Sequence, residues 1–132
     1  MHKDEDWNTA FNVVVEKSQK IQIAAVRIQK ALGSIHGWMV FERDRLSFLI
    51  NQFVQSLSSL KKSIERKDSI SIKNWSEQYT TELISARISE YISGVNGEEK
   101  EIKDAVGVIV DESEILTEAL SIIHAVLAPL CK

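Results

Sequence analysis

Apolar side chains recur at alternating steps of four and three residues along most of the chain, which is the spacing of one face of an α-helix. In the first and most regular run only Ser18 is polar. The carboxylates of Asp4, Glu5 and Asp6 stand just ahead of it, where they favour the positive end of a helix dipole. We predict a first helix at about residues 6 to 32. Its core face consists of Trp7, Phe11, Val14, Ser18, Ile21, Ala25, Ile28 and Leu32.

A second run predicts a helix at about residues 39 to 67. Four cations lie in its last turns, at the negative end of the helix dipole, where they stabilise the helix modestly. This placement explains the cations without a binding role and leaves open whether they have one. The apolar face consists of Leu46, Leu49, Phe53, Leu57, Leu60 and Ile64, extended backwards by Phe41 and Trp38, and the cations are Lys61, Lys62, Arg66 and Lys67.

A third helix is predicted at about residues 70 to 92, with Asp68, Ser69 or Ser71 as its N-cap. Two apolar stripes lie side by side on it, so the helix has a wider apolar face than a simple bundle helix needs. We expect this helix either to sit deeper in the bundle or to touch something besides its bundle neighbours. One stripe is Ile72, Trp75, Tyr79, Leu83, Ala86 and Tyr91, and the other is Ile84, Ile88 and Ile92.

A fourth helix is predicted at about residues 98 to 128, and it too carries two apolar stripes. We interpret it as the most buried element or as the oligomerisation element. Its Ser113, like Ser18, is expected to bond to the backbone carbonyl four residues back. The first stripe is Ile102, Val106, Ile109, Ser113, Leu116, Leu120, Ile123 and Leu127, and the second is Ala105, Val108, Ile115, Ala119, Ile122 and Val126.

The breaks between these patterns predict the topology. Gly33 and Gly37 bracket one turn, Gly94 and Gly97 bracket another, and the only proline, Pro129, is close to the end of the chain. Connections of about five residues make sequential helices run antiparallel. The sequence therefore predicts an all-α fold, an antiparallel up-down-up-down four-helix bundle with long helices, in one domain spanning residues 1–132.

Composition narrows the class of protein. With 44% hydrophobic and 27% charged residues the chain resembles an ordinary globular protein, and its net charge of -3 argues against nucleic-acid binding. The longest uncharged stretch, 119–131, is shorter than the ~20 residues of a membrane span, so no transmembrane segment is expected. An acidic amino terminus and a single cysteine, Cys131, favour a cytoplasmic location.

No residue pattern typical of catalysis or cofactor binding is found. None of His2, His36 and His124 follows a carboxylate by three residues, as a metal site within a bundle would need. Glu114 and Glu118 lie one turn apart, and we expect them on a solvated face. The sequence predicts no catalytic residue, no metal ligand and no cofactor, and so no enzyme.

The excess apolar surface favours a non-enzymatic helical protein–protein interaction or oligomerisation module, whose partner is a second copy of the chain in a homodimer. The alternatives are a small-molecule or lipid-binding helical bundle with an apolar cavity, and a peripheral membrane protein that uses its last helix. The sequence does not indicate the biological process. The predicted interaction surface consists of Ile84, Ile88, Ile92, Val108, Ile115, Ile122 and Val126.

Overall fold

The computed structural model describes residues 2–35, 40–93 and 100–131, and over these ranges it is an all-helical bundle without a strand. The predicted all-α class is confirmed. The turn residues Gly37, Gly94 and Gly97, together with His36 and Trp38, lie outside the described ranges. The elements are α1 His2–Leu32, α2 Val40–Glu65, α3 Ser69–Gln78, α4 Thr81–Ser93, α5 Lys100–Leu127 and a closing 3-10 helix Ala128–Cys131.

The apolar faces of α1 and α2 lie largely where the spacing predicts them. From Val14 to Leu32 the predicted positions of α1 are buried, and Trp7 and Phe11 pack against the core from its edge. In α2 the six central positions from Leu46 to Ile64 are buried as well. Phe41 was predicted to extend this face, but it is 61% exposed. It lies five residues before Leu46, which turns it about 140° away from the core-facing side.

The range predicted as one third helix contains two helices, because the backbone leaves the helical conformation at Tyr79 (φ -121°, ψ 65°). Its amide still closes α3 by donating to the Trp75 carbonyl at 2.9 Å. The next residue starts α4, since the Thr80 hydroxyl oxygen accepts a hydrogen bond from the Leu83 amide at 3.1 Å. Because the Thr80 hydroxyl caps the first turn of α4, α4 starts as a separate helix.

This break moves the core face from one predicted stripe to the other. In α3 the buried residues are Ile72 and Trp75, as predicted, but in α4 they are Ile84 and Ile88. Leu83, predicted for the core, is 36% exposed. The two apolar stripes are therefore successive parts of one core face rather than a single wide face.

His124 of α5 forms a hydrogen bond with the backbone at the break between α3 and α4. The ring nitrogen Nε2 lies 2.7 Å from the Tyr79 carbonyl oxygen, and because a carbonyl only accepts, the ring donates. The imidazole also packs on the Trp75 ring, with centroids 5.6 Å apart. Trp75 in turn donates its indole N–H to the Ser56 hydroxyl of α2 at 3.1 Å. A carbonyl left without a helical partner thus gains one from a neighbouring helix.

The turn between α2 and α3 is tight. Lys67 adopts a left-handed backbone (φ 57°), and its amide donates to the Ile64 carbonyl at 3.1 Å. The Asp68 amide donates to the Ser63 carbonyl at 2.9 Å, which completes a Schellman motif. Of the three predicted N-caps for α3, Asp68 is the one used: its carboxylate accepts from the Ser71 amide and hydroxyl at 3.1 and 2.7 Å. These hydrogen bonds lower the pKa of Asp68 below its ordinary value of 3.8.

The core of α5 follows a path between its two predicted stripes. Ile109, Leu116, Leu120, Ile123 and Leu127 are buried as predicted, whereas Ile102, Val106 and Ser113 are only half-buried. In their place Ala105, Glu112 and Ala119, seven residues apart, complete the buried face. α5 packs most extensively against α1 and also packs against α4, while its His124 contacts Trp75 of α3.

The two serines of the predicted core faces differ. Ser113 donates to the Ile109 carbonyl at 2.6 Å, the bond expected four residues back. Ser18 is 0% exposed, and its hydroxyl finds no hydrogen-bond partner in the described part of the chain. The bond predicted for Ser18 is therefore absent.

Candidate interaction surface

The structure divides the predicted interaction surface into buried and accessible residues. Ile84 and Ile88 are 3% and 2% exposed, so they belong to the core of this chain and cannot meet a partner without separation of the helices. Ile92 and Val126 are partly buried against that core. Val108, Ile115 and Ile122 remain, exposed at 41%, 38% and 36%. The accessible part of the predicted surface is therefore the α5 stripe alone.

Ile115 and Ile122 line a groove of about 340 Å³ between α5 and α1. Its α1 side includes Ile23, which is 55% exposed and which the sequence reasoning left out of the surface. An isoleucine two positions after the core residue Ile21 was the available signal, because it must point away from the core face. We call this groove the α1/α5 surface: Lys17, Lys20, Ile23, Ala24, Arg27, Glu112, Ile115, Glu118, Ala119 and Ile122.

Opposite charges border the apolar floor of the α1/α5 surface. All three cations, Lys17, Lys20 and Arg27, come from α1, and both anions, Glu112 and Glu118, come from α5. Glu118 is exposed, as predicted, and so is Glu114. One helix edge is basic and the other is acidic, so this surface is complementary in charge to a copy of itself.

Glu112 is the buried anion of this surface, and sequence reasoning did not identify it. Its side chain is 10% exposed, and Oε1 accepts a hydrogen bond from Arg27 Nη1 at 3.1 Å. Oε2 is buried and has no partner within the described ranges. A buried carboxylate oxygen without a donor costs more than a neutral group would. The Glu112 site is therefore only half satisfied within one chain.

A second groove, of about 690 Å³, lies between α2 and α4. Phe41 and Phe48 line it and are 61% and 64% exposed, and the Arg45 guanidinium sits 4.4 Å from the centre of the Phe41 ring. Arg87 and Tyr91 of α4 form the other wall. The two phenylalanines are seven residues apart, a spacing that places both on one side of α2 away from the core.

The other candidate sites are a polar groove, the predicted basic cluster and the thiol of Cys131. A groove of about 500 Å³ between α2 and α3 is lined mainly by serine, glutamine and asparagine side chains. In the predicted basic cluster Lys62, Arg66 and Lys67 are exposed and Lys61 is half-buried. No group of three metal-ligating side chains occurs among the described residues. Partial burial raises the pKa of the Cys131 thiol, which reduces its reactive thiolate fraction.

The segment Lys100–Cys131 is long and apolar enough to cross a membrane, and 28% of its most apolar window is buried within the bundle. Length and composition alone do not separate such a span from a helix that packs in the core of a soluble protein. In the bundle this segment packs against α1 and α4, and its last turns also contact α3.

The chain matches no protein-family model, no curated protein and no solved structure.

Proposed function

We propose that this chain is a non-enzymatic helical interaction module that binds a second copy of itself through the α1/α5 surface. The observation that supports this most directly is the groove itself, with its exposed isoleucines between a basic and an acidic edge. Interfaces combine an apolar centre with a polar, charged rim in this way. Since both charges occur on one face, the same face can serve on both partners.

We further propose that the helices form an antiparallel up-down-up-down four-helix bundle, with α3 and α4 together as the third member. Arg27 contacts Glu112, and residues 17–27 and 112–122 border one groove. If α1 and α5 ran parallel, residue 122 would lie about ten positions beyond Arg27, past the end of α1 at Leu32. The shared groove therefore supports an antiparallel pair.

The dimensions suit a dimer. Helices of 31 and 28 residues are about 46 and 42 Å long at 1.5 Å per residue, and each is about 10 Å wide. Two such helices side by side offer on the order of 800 Å² on one face, which is the area that one partner buries in a standard interface. This is about a tenth of the 8081 Å² surface of the chain.

Sedimentation equilibrium over a concentration series tests the proposal. We expect a dimer at micromolar concentration for the unchanged chain and a shift towards monomer for Ile122→Glu, because a charge would be placed among the apolar side chains of the interface. Ile70→Glu is the matched control, since Ile70 is 73% exposed on α3, outside the α1/α5 surface. A chain that stays monomeric at several hundred micromolar contradicts the proposal.

A small-molecule or lipid-binding bundle is the second candidate, because the groove volume of about 340 Å³ lies within the range of ligand sites. A dye that fluoresces in apolar environments distinguishes the two functions. Binding of the dye to the monomer at the α1/α5 surface, abolished by Ile122→Glu, would favour a ligand site. Loss of dye binding as the chain dimerises would favour the interface.

A further inference from the structure

We infer that the two copies are related by a two-fold axis parallel to α1 and α5, so that α1 of each copy lies on α5 of the other. This inference rests on the proposed dimer and specifies its arrangement. It also assigns a role to Glu112, whose buried oxygen Oε2 has no partner among the described residues of one chain.

The charges of the α1/α5 surface favour one of the two possible orientations of the two-fold axis, across the helices or along them. An axis across the helices places α1 on the partner's α1, and it brings the basic edge of Lys17, Lys20 and Arg27 against its own copy. The acidic edge likewise meets itself, and like charges opposed across an interface weaken it. An axis along the helices places each basic edge on an acidic edge, which is the favourable arrangement.

The register follows from the contact within one chain. A rotation about an axis parallel to the helices leaves positions along them unchanged, so Glu112 of one copy lies level with Arg27 of the other, as it does with its own Arg27. Lys20 precedes Arg27 by seven residues, and on the antiparallel α5 this corresponds to position 119, beside Glu118. By the same reasoning Ile23 lies opposite Ile115 of the partner copy.

The partner's arginine completes the Glu112 site. Oε1 is taken by Arg27 of the same chain, and Oε2 needs a second donor. The Arg27 side chain is 60% exposed, and a guanidinium carries five N–H donors, so one arginine can serve both its own Glu112 and that of the partner copy. Oε2 is buried within one chain, so the Glu112 carboxyl must turn towards the surface on dimerisation for the partner's arginine to reach it. The dimer then contains a ring of two arginines and two glutamates in which each carboxylate is satisfied on both oxygens.

A charge exchange tests the arrangement. Lys20→Glu and Glu118→Lys each place like charges at two symmetric contacts, so we expect each variant alone to dimerise at least about tenfold more weakly than the unchanged chain. In an equimolar mixture both contacts pair opposite charges again, and affinity should return to within about threefold of the original. Both residues are exposed, so the helical fold should persist, and circular dichroism checks this.

The outcomes separate this inference from the proposed function. If the unchanged chain dimerises and each single variant dimerises equally well, or the folded variants fail to recover on mixing, the arrangement is wrong while the dimer stands. Stronger binding of Lys20→Glu to the unchanged chain than of that chain to itself would favour the crosswise axis and overturn the inference. An unchanged chain that is monomeric at several hundred micromolar overturns both. Should a charge-reversed variant unfold, the neutral variants Lys20→Gln and Glu118→Gln must still each weaken the dimer.

Glu112→Gln tests the buried site independently. Glutamine keeps the shape and one acceptor for Arg27 of its own chain but removes the charge that the partner's Arg27 would meet. We expect dimerisation to weaken at least about tenfold. Urea unfolding of the dilute monomer provides the structural readout. A loss of monomer stability without a change in dimer affinity would show that Glu112 stabilises only the fold of its own chain.

Discussion

Replacing Ser18 with alanine should stabilise the protein, and the structure allows the size of the effect to be worked out. The Ser18 side chain is 0% exposed and its hydroxyl has no hydrogen-bond partner among the described residues. A hydroxyl buried without a partner costs about 1–3 kcal/mol by mutational estimates. Alanine removes that cost and is the better helix former by up to ~0.7 kcal/mol, while the space left by a single oxygen offsets part of the gain.

We expect the free energy of unfolding of Ser18→Ala to rise by about 1–2 kcal/mol, which raises the melting temperature by about 4–8 °C. Ser113→Ala is the matched control: it also lies in a long helix, but its hydroxyl donates to the Ile109 carbonyl at 2.6 Å, so the gain should be smaller. Urea unfolding followed by circular dichroism at one fixed protein concentration measures both. A Ser18→Ala variant less stable than the original would show that the hydroxyl does have a hydrogen-bond partner in the folded protein.

Three further predictions concern the turn and the helix break. Lys67→Gly should be more stable to urea than Lys67→Ala by about 1 kcal/mol, because both remove the same side chain contacts but only glycine adopts φ 57° without strain; equal stabilities would contradict this. Asp68 has a lowered pKa, so its stabilisation is present above the unfolded-state pKa and is lost as pH falls through the folded-state value. The stability difference between the original and Asp68→Asn should therefore shrink in acid urea titrations below about pH 4, and a constant difference would argue against the cap. His124→Phe keeps an aromatic ring on Trp75 but leaves the Tyr79 carbonyl without its donor. The free energy of unfolding should therefore fall by about 1–3 kcal/mol, and hydrogen exchange at the start of α4 should become faster. Unchanged exchange would count against a role for His124 at the break.

Helical periodicity was sufficient to predict the fold class and the core of the first two helices. Long runs such as Val14 to Leu32 keep one phase, so a spacing rule follows them from end to end. It failed at Tyr79, because the sequence there contains neither glycine nor proline. The break depends on a hydroxyl cap from Thr80 and on a hydrogen bond from His124, which lies 45 residues away. Such a long-range contact has no local signature.

The same limit applies to the candidate site. The exposed stripe of Val108, Ile115 and Ile122 was accessible to sequence reasoning, since an apolar residue every seven positions marks one side of a helix. The α1 half was not, because which side of α1 lies beside that stripe depends on how the two helices are rotated against each other. Glu112 was missed for a related reason: a carboxylate is assigned to solvent unless its partner, here Arg27, is known to be adjacent.

Disulfide trapping between two differently substituted copies measures whether α1 of one copy lies on α5 of the other. With Cys131→Ser as background, Ile23→Cys and Ile115→Cys are mixed and oxidised, and Ile70→Cys mixed with Ile115→Cys is the control. We expect the disulfide between the Ile23→Cys and Ile115→Cys copies to form far faster than any disulfide in the control mixture. Trapping at the control rate, or Ile23→Cys copies that link to each other faster than to Ile115→Cys, would contradict it.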